Sequence, residues 1–287
     1  LNLSKEKFYI KIVSPNFKLE YGLSENEIKQ RFKKLVRYSD SSEKFKTLYV
    51  WPEGVFSGYN FQEIEFLTDM FSKNFKRNHF ILFGINRYDK RRNGFYNSLV
   101  LVNSKMEILQ EYRKQKLVPF GEFLPFEKVL SKFNLKKITE GYGSFLKGNK
   151  QKNIILDELN ILPLVCYEII FTEFIQNADQ KTNLIINISE DGWFGNSIGP
   201  KQHFAKAVFR AVENNSFLIR SANKGISAII DNKGLVLKKL DNYEAGNIEF
   251  QVPLIKNDNR NKNDLIFLLL LITYIFIFCF NKENNEK

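Results

Sequence analysis

Two kinds of hydrophobic pattern alternate along most of this chain. Apolar and polar residues that take turns at every second position are typical of strands, and apolar residues three or four positions apart are typical of helices. On this basis we predict strands at 8–13, 47–51, 79–85, 95–102, 107–112, 153–156, 161–165, 183–188, 217–221, 225–230 and 235–240. We predict helices at 24–37, 61–75 and 203–213, and one that begins near residue 169. The chain is therefore expected to have an α/β fold.

The first helix has the clearest start signal. Ser24 is followed three residues later by Glu27, which is the pattern of a capping box. Ile28, Phe32 and Leu35 then lie on one helical face. The pattern predicts a helix that begins at Ser24 and packs through this face.

The last apolar stretch, at 265–280, is different because it has no polar face. Its sequence, LIFLLLLITYIFIFCF, contains no charged residue. As a helix it would span roughly 24 Å, which is close to the thickness of a hydrocarbon core. We therefore predict one folded domain at 1–258 that is followed by one C-terminal transmembrane helix at 265–280.

Composition excludes few classes of protein but argues against some of them. The chain has 287 residues, of which 44% are hydrophobic, and a formal net charge of +11. A basic protein can bind nucleic acid or an anionic lipid surface. Lysines are spread along the whole sequence without a dense basic block, so we expect no nucleic-acid partner. The two cysteines, Cys166 and Cys279, do not form a readable disulfide framework.

Cys166 follows the apolar run LNILPLV, which is predicted to be a buried strand. A free cysteine at the end of a strand is commonly a small core residue. It can also be a nucleophile, provided that a base and a cation come from elsewhere in the chain. We therefore look for the base and the cation at the ends of the other predicted strands.

Two further strand ends carry charged side chains that suit this chemistry. Glu53 follows the strand that ends in Trp51, and Lys114 follows the strand that ends in Tyr112. Acyl transfer through a thiol needs a base for the proton and a cation or hydrogen-bond donors for the oxyanion. The alternative interpretation is that both residues are solvated surface charges.

The surrounding motifs resemble a known signature. In chain order, VWPEG, YRKQKLVPFGEFLP and PLVCYE resemble the Glu-Lys-Cys motifs of the carbon-nitrogen hydrolase (nitrilase) superfamily. Within it, LVPFGEFLP, CYE, DGWFGNSIGPKQHF and RSANKGISAIID are similar to the apolipoprotein N-acyltransferase family. The resemblance implies a nitrilase-like α-β-β-α sandwich at the outer, periplasmic face of the bacterial cytoplasmic (inner) membrane.

The resemblance also implies roles for single residues. Cys166 would be the nucleophile, Glu53 the general base and Lys114 the oxyanion stabiliser. Lys116 is the rival for the last role, but the motif places the catalytic lysine three residues before Leu-Val-Pro, which selects Lys114.

Three more residues match supporting positions of the family: Glu122, Tyr167 and Glu168. Hydrogen bonding that shapes the loops is an equally good interpretation of all three. Trp193 and Phe194 could contact acyl chains or simply pack. We expect no cofactor and no metal site, because His203 has no other histidine or cysteine nearby.

The reaction that the resemblance implies has two steps and two substrates. An acyl chain moves from a phospholipid to the cysteine, and the thioester then acylates the α-amino group of the diacylglyceryl-cysteine of an apolipoprotein. A membrane-tethered amidase or nitrilase is one alternative. An inactive fragment is another, because the several membrane helices that precede this domain in the family are absent from the sequence.

Two departures from the family bear on these alternatives. The chain begins with Leu1 rather than methionine, so it may be read as part of a longer protein or as one half of a split enzyme with a separately encoded membrane bundle. Tyr21 also stands in a region where the family commonly has tryptophan. Lipid contacts in that region are therefore not predicted from the sequence.

Overall fold

The fold is described from a computed structural model of the chain. The structure describes residues 8–42, 44–125, 144–149, 152–251, 253 and 262–285, with side chains for 265–278 in the last segment. The predicted domain boundary at 258 lies outside these residues.

Twelve strands form two mixed sheets of six strands each within the described residues. The first sheet has the order β12-β1-β2-β3-β4-β5, and the second has the order β11-β10-β9-β8-β7-β6. The strands are β1 (Phe8–Ser14), β2 (Lys46–Val50), β3 (His79–Asp89), β4 (Gly94–Asn103), β5 (Ile108–Arg113), β6 (Ile154–Leu156), β7 (Leu159–Val165), β8 (Leu184–Glu190), β9 (Phe217–Asn223), β10 (Ser227–Ile230), β11 (Val236–Leu240) and β12 (Gly246–Phe250).

Four of the five α-helices in the described residues cover the outer faces of the two sheets. The α-helices are α1 (Glu25–Ser39), α2 (Thr68–Asn74), α3 (Glu173–Gln176), α4 (Gly199–Asn214) and α5 (Lys262–Asn285). Single turns of 3₁₀-helix lie at Gln62–Leu67, Cys166–Ile170 and Asp191–Phe194.

Three buried clusters separate the layers. One cluster lies between the sheets and joins side chains of both, such as Val50 and Val165. A second cluster packs α1 and α2 on the first sheet, for example through Phe32 and Phe71. A third packs α3 and α4 on the second sheet. This layering confirms the predicted α-β-β-α sandwich.

The arrangement of parallel strands explains where the site lies. β1, β2 and β3 run parallel to one another in the first sheet, and β7, β8 and β9 do so in the second. The carboxyl ends of parallel neighbours meet at one edge of a sheet, where irregular backbone carries side chains into a crevice. Glu53 and Cys166 follow β2 and β7 at such edges.

The structure agrees with most predicted elements and corrects others. Ser24 caps α1, and its capping box with Glu27 is formed as predicted. The predicted helix at 61–75 is a 3₁₀ segment followed by the shorter α2. The prediction of a regular helix from about Ile169 is wrong, because Phe171 is extended and leaves only a 3₁₀ turn and the four residues of α3. β12 was not predicted, since only one of its five residues, Ile248, is buried.

The C-terminal segment forms α5, and the side chains at 265–278 are exposed. Over the described part of the chain, no helix meets both the length and the apolarity needed to cross a membrane. The transmembrane helix at 265–280 stays a prediction.

Candidate active site

Glu53 is held at the edge of the first sheet by a buried aromatic anchor. Trp51 is fully buried, packs on Phe71 and Phe83, and donates from Nε1 to Ser39 Oγ over 3.0 Å. Pro52 then ends the strand, because proline cannot donate to the ladder. The anchor therefore fixes where the chain leaves β2 and where Glu53 begins.

A glycine in β3 makes room for the backbone of Glu53. A Cβ atom on Gly84 of β3 would lie 2.9 Å from the Glu53 Cα atom and 3.0 Å from Ile188 Cδ1. Real Cβ atoms do not approach backbone so closely. Gly84 is thus required for the close contact between β3 and the backbone of Glu53.

Lys114 enters the same crevice from the end of β5. Its backbone N–H donates to Asn97 O over 2.9 Å, and its carbonyl accepts from Gly148 N over 2.8 Å. The side chain is 1% exposed, and Nζ lies 2.9 Å from Glu122 Oε1 and 3.8 Å from Glu53 Oε1. The ammonium group is therefore buried between two carboxylates.

Asn97 joins those two carboxylates. Its Nδ2 donates to Glu53 Oε1 over 2.7 Å and to Glu122 Oε1 over 2.8 Å. The other oxygen of Glu122 accepts from Val118 N over 2.9 Å. The other oxygen of Glu53 accepts from Glu190 N over 3.1 Å. Glu122 thus holds three donors at hydrogen-bond distance, whereas Glu53 holds two.

The charge state of Lys114 follows from these neighbours. Burial by itself lowers the pKa of a lysine, but the charges of Glu122 and Glu53 outweigh it and raise the pKa of Lys114 above its ordinary value. Lys114 is therefore an ammonium ion at neutral pH.

Cys166 is the first residue after β7 and has a left-handed backbone, with φ of 50°. This conformation is uncommon for residues other than glycine and turns the chain sharply where the strand ends. Burial, followed by the charge of Glu53, raises the pKa of the Cys166 thiol above its ordinary value, although Lys114 acts in the opposite direction. The resting group is thus a neutral thiol, which needs a base.

Glu168 lies behind the crevice rather than at the sulfur. One of its oxygens accepts from Tyr112 Oη over 2.9 Å, from Gln115 N over 2.6 Å and from Lys116 N over 3.1 Å, and the other accepts from Val165 N over 2.9 Å. Burial raises the pKa of Glu168 to about 7. Its contacts join the Lys114 loop to the end of β7, which favours the interpretation of a loop-shaping residue.

Lys116 points away from the crevice. Its Nζ pairs with Glu173 Oε1 over 2.8 Å, and the side chain is 37% exposed. The two rival lysines therefore differ in burial and in their partners.

One cavity of about 410 Å³ joins the predicted residues. Glu53, Lys114, Glu122, Cys166 and Tyr167 all line it, whereas Glu168 does not. Its remaining walls are largely apolar or aromatic and include Leu19, Tyr21, Phe56, Tyr59, Ile85, Val118, Phe145, Trp193 and Phe194. All the predicted residues except Glu168 thus lie at one cavity with largely apolar walls.

The aromatic residues at the cavity are partly open to solvent. Trp193 is 46% exposed and Phe194 is 37% exposed. Tyr21 lies beside Trp193, with ring centroids 6.4 Å apart. Both loop aromatics are thus in a position to contact a ligand, which packing alone would not require.

No role was predicted from the sequence for several buried polar residues at the site. They are Asn97, which bonds to Glu53 in the first sheet, and Ser189, Glu190, Asp191, Arg220 and Asn223 on the side of the second sheet. Asp191, Arg220 and Asn223 lie in motifs that resemble the family, and Ser189 and Glu190 come at the end of the apolar strand β8, parallel to β7. Within the described ranges, no group of three or more histidine, cysteine, aspartate or glutamate side chains could hold a metal ion.

Two adjacent carboxyl groups among these residues have opposite pKa shifts. Burial raises the pKa of Glu190 to about 8. Burial also disfavours ionised Asp191, but the adjacent Arg220 and hydrogen bonds from its neighbours lower its pKa to about 2. Asp191 is therefore an anion at neutral pH, while Glu190 is largely protonated.

Comparison with known proteins agrees with this architecture. The sequence model of the carbon-nitrogen hydrolase family matches residues 21–256. The apolipoprotein N-acyltransferase of Vibrio parahaemolyticus is 34% identical over 229 residues, which are 75% of this chain and 44% of that protein. The one from Rickettsia typhi is 41% identical over 170 residues, which are 58% of this chain and 34% of that protein. The chain spans less than half the length of these curated relatives.

Solved structures share the fold at low sequence identity. Nit3 of Saccharomyces cerevisiae, a member of branch 10 of the nitrilase superfamily, has a TM-score of 0.62 and 16% identity, and the match covers 86% of this chain and 91% of that one. An amidase from Nesterenkonia AN1 has a TM-score of 0.64 and 15% identity, with coverage of 92% and 97%. Since the family's sequence model covers most of the chain, we conclude that this protein belongs to the carbon-nitrogen hydrolase family.

Proposed function

We propose that the chain is the catalytic part of an apolipoprotein N-acyltransferase. It would move a fatty acyl chain from a phospholipid, through a thioester on Cys166, to the α-amino group of a diacylglyceryl-cysteine. The observation that carries the proposal is that a thiol, a carboxylate and a buried ammonium line one cavity with apolar walls. The similarity to curated N-acyltransferases from several bacteria supports the choice of substrate class.

In the first step, Glu53 takes the proton from the Cys166 thiol as the sulfur attacks the ester carbonyl of the phospholipid. A C–S bond forms, and Lys114 stabilises the negative charge on the carbonyl oxygen. The C–O bond then breaks, and the lysophospholipid leaves with the proton that Glu53 held. Glu53 suits the role of base because it holds fewer hydrogen-bond donors than Glu122.

In the second step, the α-amino group attacks the thioester carbonyl. A C–N bond forms, the C–S bond breaks, and Glu53 takes the proton that the nitrogen loses. That proton returns to the sulfur and restores the thiol. Lys114 stabilises the oxyanion in both steps, because its raised pKa keeps it charged.

The remaining predicted residues have supporting roles in this proposal. Glu122 orients Lys114 through its 2.9 Å ion pair. Glu168 joins the Lys114 loop to the strand before Cys166. Tyr167 contributes a partly buried aromatic wall beside the sulfur and packs edge-on against Phe171. None of the three takes a proton from substrate.

The apolar walls fit a fatty acyl chain better than a small polar amide. Burying a methylene group stabilises a complex by about 0.8 kcal/mol, so a long chain gains substantially from such walls. Tyr21, Trp193 and Phe194 lie where a chain would enter. The partners in this proposal are the donor phospholipid, the acceptor apolipoprotein and the membrane itself.

The proposal also includes the location of the chain. A helix at 265–280 would hold the domain at the periplasmic face of the inner membrane, and a separately encoded membrane bundle is a further proposed partner. In support, the side chains at 265–278 are exposed in α5 although most of them are apolar.

The acyl-enzyme provides the direct test. The full chain would be incubated with phosphatidylethanolamine vesicles and analysed by intact-protein mass spectrometry. We expect a mass increase of one acyl group on the wild type and on Cys279→Ser, and none on Cys166→Ala. An acylated Cys166→Ala variant would refute the assignment of the nucleophile.

The same sample separates the proposed reaction from the alternatives. Addition of a diacylglyceryl lipopeptide should discharge the acyl-enzyme into an N-acylated product. Discharge to free fatty acid alone would instead support a hydrolase, and a folded wild-type chain that never acylates would support an inactive fragment.

Membrane attachment needs a separate test. Full-length protein should remain in the membrane fraction after carbonate washing, whereas a chain truncated after Asn263 should be released. Release of both proteins by salt alone would show that only the basic surface binds the membrane.

A further inference from the structure

A buried polar cluster lies directly behind Cys166 and has no role in the proposed chemistry so far. We call it the Asp191 cluster: Ser189, Asp191, His203 and Arg220. These four residues are between 0% and 4% exposed and come from β8, the turn after it, α4 and β9. Burying so many polar groups is costly unless each is paired, so the pattern of pairing carries information.

Asp191 is the centre of this cluster. Its carboxylate accepts from Arg220 Nη2 over 2.8 and 3.0 Å and from Ser189 Oγ over 2.7 Å. His203 Nδ1 lies 3.0 Å from the same carboxylate. The cluster therefore contains one buried anion that is matched by one buried cation.

The proton on Nε2 of His203 follows from its surroundings. Its Nε2 lies 3.1 Å from the carbonyl oxygen of Cys166, which can only accept, so Nε2 carries a proton. Burial and the charge of Arg220 lower the pKa of His203, although Asp191 acts in the opposite direction. Nδ1 lies 3.0 Å from Asp191 Oδ1 and 3.1 Å from Arg220 Nη2, so it can donate to the first or accept from the second. His203 thus holds the Cys166 backbone and is not a base for the sulfur.

Ser189 contacts both the anion and the sulfur. Its Oγ lies 2.7 Å from Asp191 Oδ1 and 3.4 Å from Cys166 Sγ. A hydroxyl has only one proton, so it cannot donate to both at once. The bond to ionised Asp191 is the stronger in the resting state. A lone pair of Oγ is then available to accept the S–H of the neutral thiol.

We infer that Ser189 is a positioning residue for Cys166, whose hydroxyl accepts from the resting thiol and donates to the sulfur once the thiol has lost its proton. No proton leaves Ser189 in this exchange. The thiol proton goes to Glu53, the Ser189 hydroxyl rotates from Asp191 towards the sulfur, and Asp191 keeps its bonds to Arg220. The inference rests on the proposed function only in taking Cys166 as the nucleophile.

Other charges also act on the sulfur and set the size of the expected effect. Glu53 and Asp191 disfavour the thiolate, whereas Lys114 and the Ser189 hydroxyl favour it. The hydroxyl gives up its bond to ionised Asp191 when it turns to the sulfur, so only the difference between two hydrogen bonds to anions remains. We expect this difference to change the population of the thiolate by a factor of about 3 to 10. Removing the hydroxyl should therefore make the thiolate rarer by this factor without abolishing it.

The test measures the reactivity of the thiol rather than acyl transfer. Full-length protein in detergent would be alkylated with iodoacetamide across a range of pH, and the Cys166 peptide would be followed by mass spectrometry. Thiolate, not thiol, reacts with this reagent. We expect Ser189→Ala to slow alkylation about 3- to 10-fold near neutral pH and to move the pH midpoint upwards.

A matched control comes from the adjacent strand. Ser221 is as buried as Ser189 and pairs in register with Ile188. Its hydroxyl donates to Val13 O over 3.0 Å rather than to the sulfur. Ser221→Ala removes the same atom from a neighbouring buried position and should leave the alkylation profile unchanged. Ser189→Thr keeps the hydroxyl and should restore most of the rate.

Two outcomes would overturn the inference. One is an unchanged pH profile in Ser189→Ala, and the other is an equal change in Ser221→Ala, which would indicate general loosening of the sheet. Neither outcome requires an acyl donor. Failure of this inference can therefore be told apart from failure of the acyltransferase proposal, which is tested by the acyl-enzyme.

Discussion

The first sheet supplies Glu53 and Lys114 to the cavity, whereas the second sheet supplies Cys166. On the first side, side chains orient one another: Asn97 and Glu122 hold the two charged groups by direct hydrogen bonds and an ion pair. On the second side, the sulfur is placed mainly through its backbone, which is left-handed and is bonded by His203 at its carbonyl. The site thus combines an electrostatic half with a conformational half.

The two halves are therefore sensitive to different kinds of substitution. Charged side chains in a buried network depend on one another, and removal of one leaves another unpaired. A backbone conformation depends instead on the elements that fix it, here the end of β7 and the bond to α4 through His203. Direct hydrogen bonds also join the two halves, among them the bond from Glu190 N to Glu53 Oε2 and those from the Lys114 loop to Glu168.

The largest effect is expected from removal of a charge in the electrostatic half. Lys114→Met keeps much of the side-chain volume but removes the charge that faces Glu53 and Glu122. We expect acyl-enzyme formation to fall by about two orders of magnitude or more, on the scale of a lost oxyanion donor. Rates of acylation by a dispersed short-chain ester would measure it.

Lys116→Met is the matched control for that change. Lys116 is partly exposed and pairs with Glu173 outside the cavity, so its loss should change the rate by less than about twofold. A larger loss at Lys116 than at Lys114 would show that the oxyanion lysine has been assigned to the wrong position.

A smaller effect is expected from a substitution that removes hydrogen bonds from the electrostatic half but keeps its charges. Asn97→Ala removes the donor that Glu53 and Glu122 share but leaves their ion pairs with Lys114. Both acceptors are carboxylates, and a hydrogen bond to a charged group contributes about 1.5 to 3 kcal/mol. Since the ion pairs still orient the two carboxylates, we expect only part of this to appear in the rate, as a loss of about tenfold or somewhat more in acylation.

The control for Asn97 is Asn103→Ala in the same strand, whose side chain pairs with Lys105 N and Glu107 in the exposed turn after the strand. If both asparagine variants lose the same amount of activity, Asn97 acts through the stability of β4 and not through the carboxylates.

The smallest expected effect concerns Glu190, one of the residues that join the two halves. Burial raises the pKa of Glu190 from an ordinary value near 4.5 to about 8. Between these two pH values the folded protein holds a proton that the unfolded chain releases, so its stability falls as pH rises through this window. Glu190→Gln cannot lose a proton and should escape this loss.

Thermal unfolding at acid and alkaline pH would measure this effect. The difference in midpoint between Glu190→Gln and the wild type should shift in favour of the variant by at least about 2 °C from pH 5 to pH 9. Glu65→Gln, at an exposed position, should show a difference that does not change with pH. A constant difference for both variants would mean that Glu190 is not protonated in the fold.

Elements with local signals were predictable from the sequence. The capping box at Ser24 was visible as a spacing of three residues, and the apolar runs before Glu53, Lys114 and Cys166 were visible as strands. The motifs around these residues also implied the sandwich. These inferences were possible because strand and helix patterns depend on residues that are near in the chain.

The pairing of the polar groups could be seen in the tertiary structure but not in the sequence. Asn97 bonds to Glu53, which is 44 residues away, and Arg220 bonds to Asp191, which is 29 residues away. Such partners are set by the order and register of the strands, which local patterns do not specify. For the same reason, the sequence could not tell that Glu168 faces the Lys114 loop or that Cys166 is left-handed. Both features arise because buried polar groups must find partners across the whole fold.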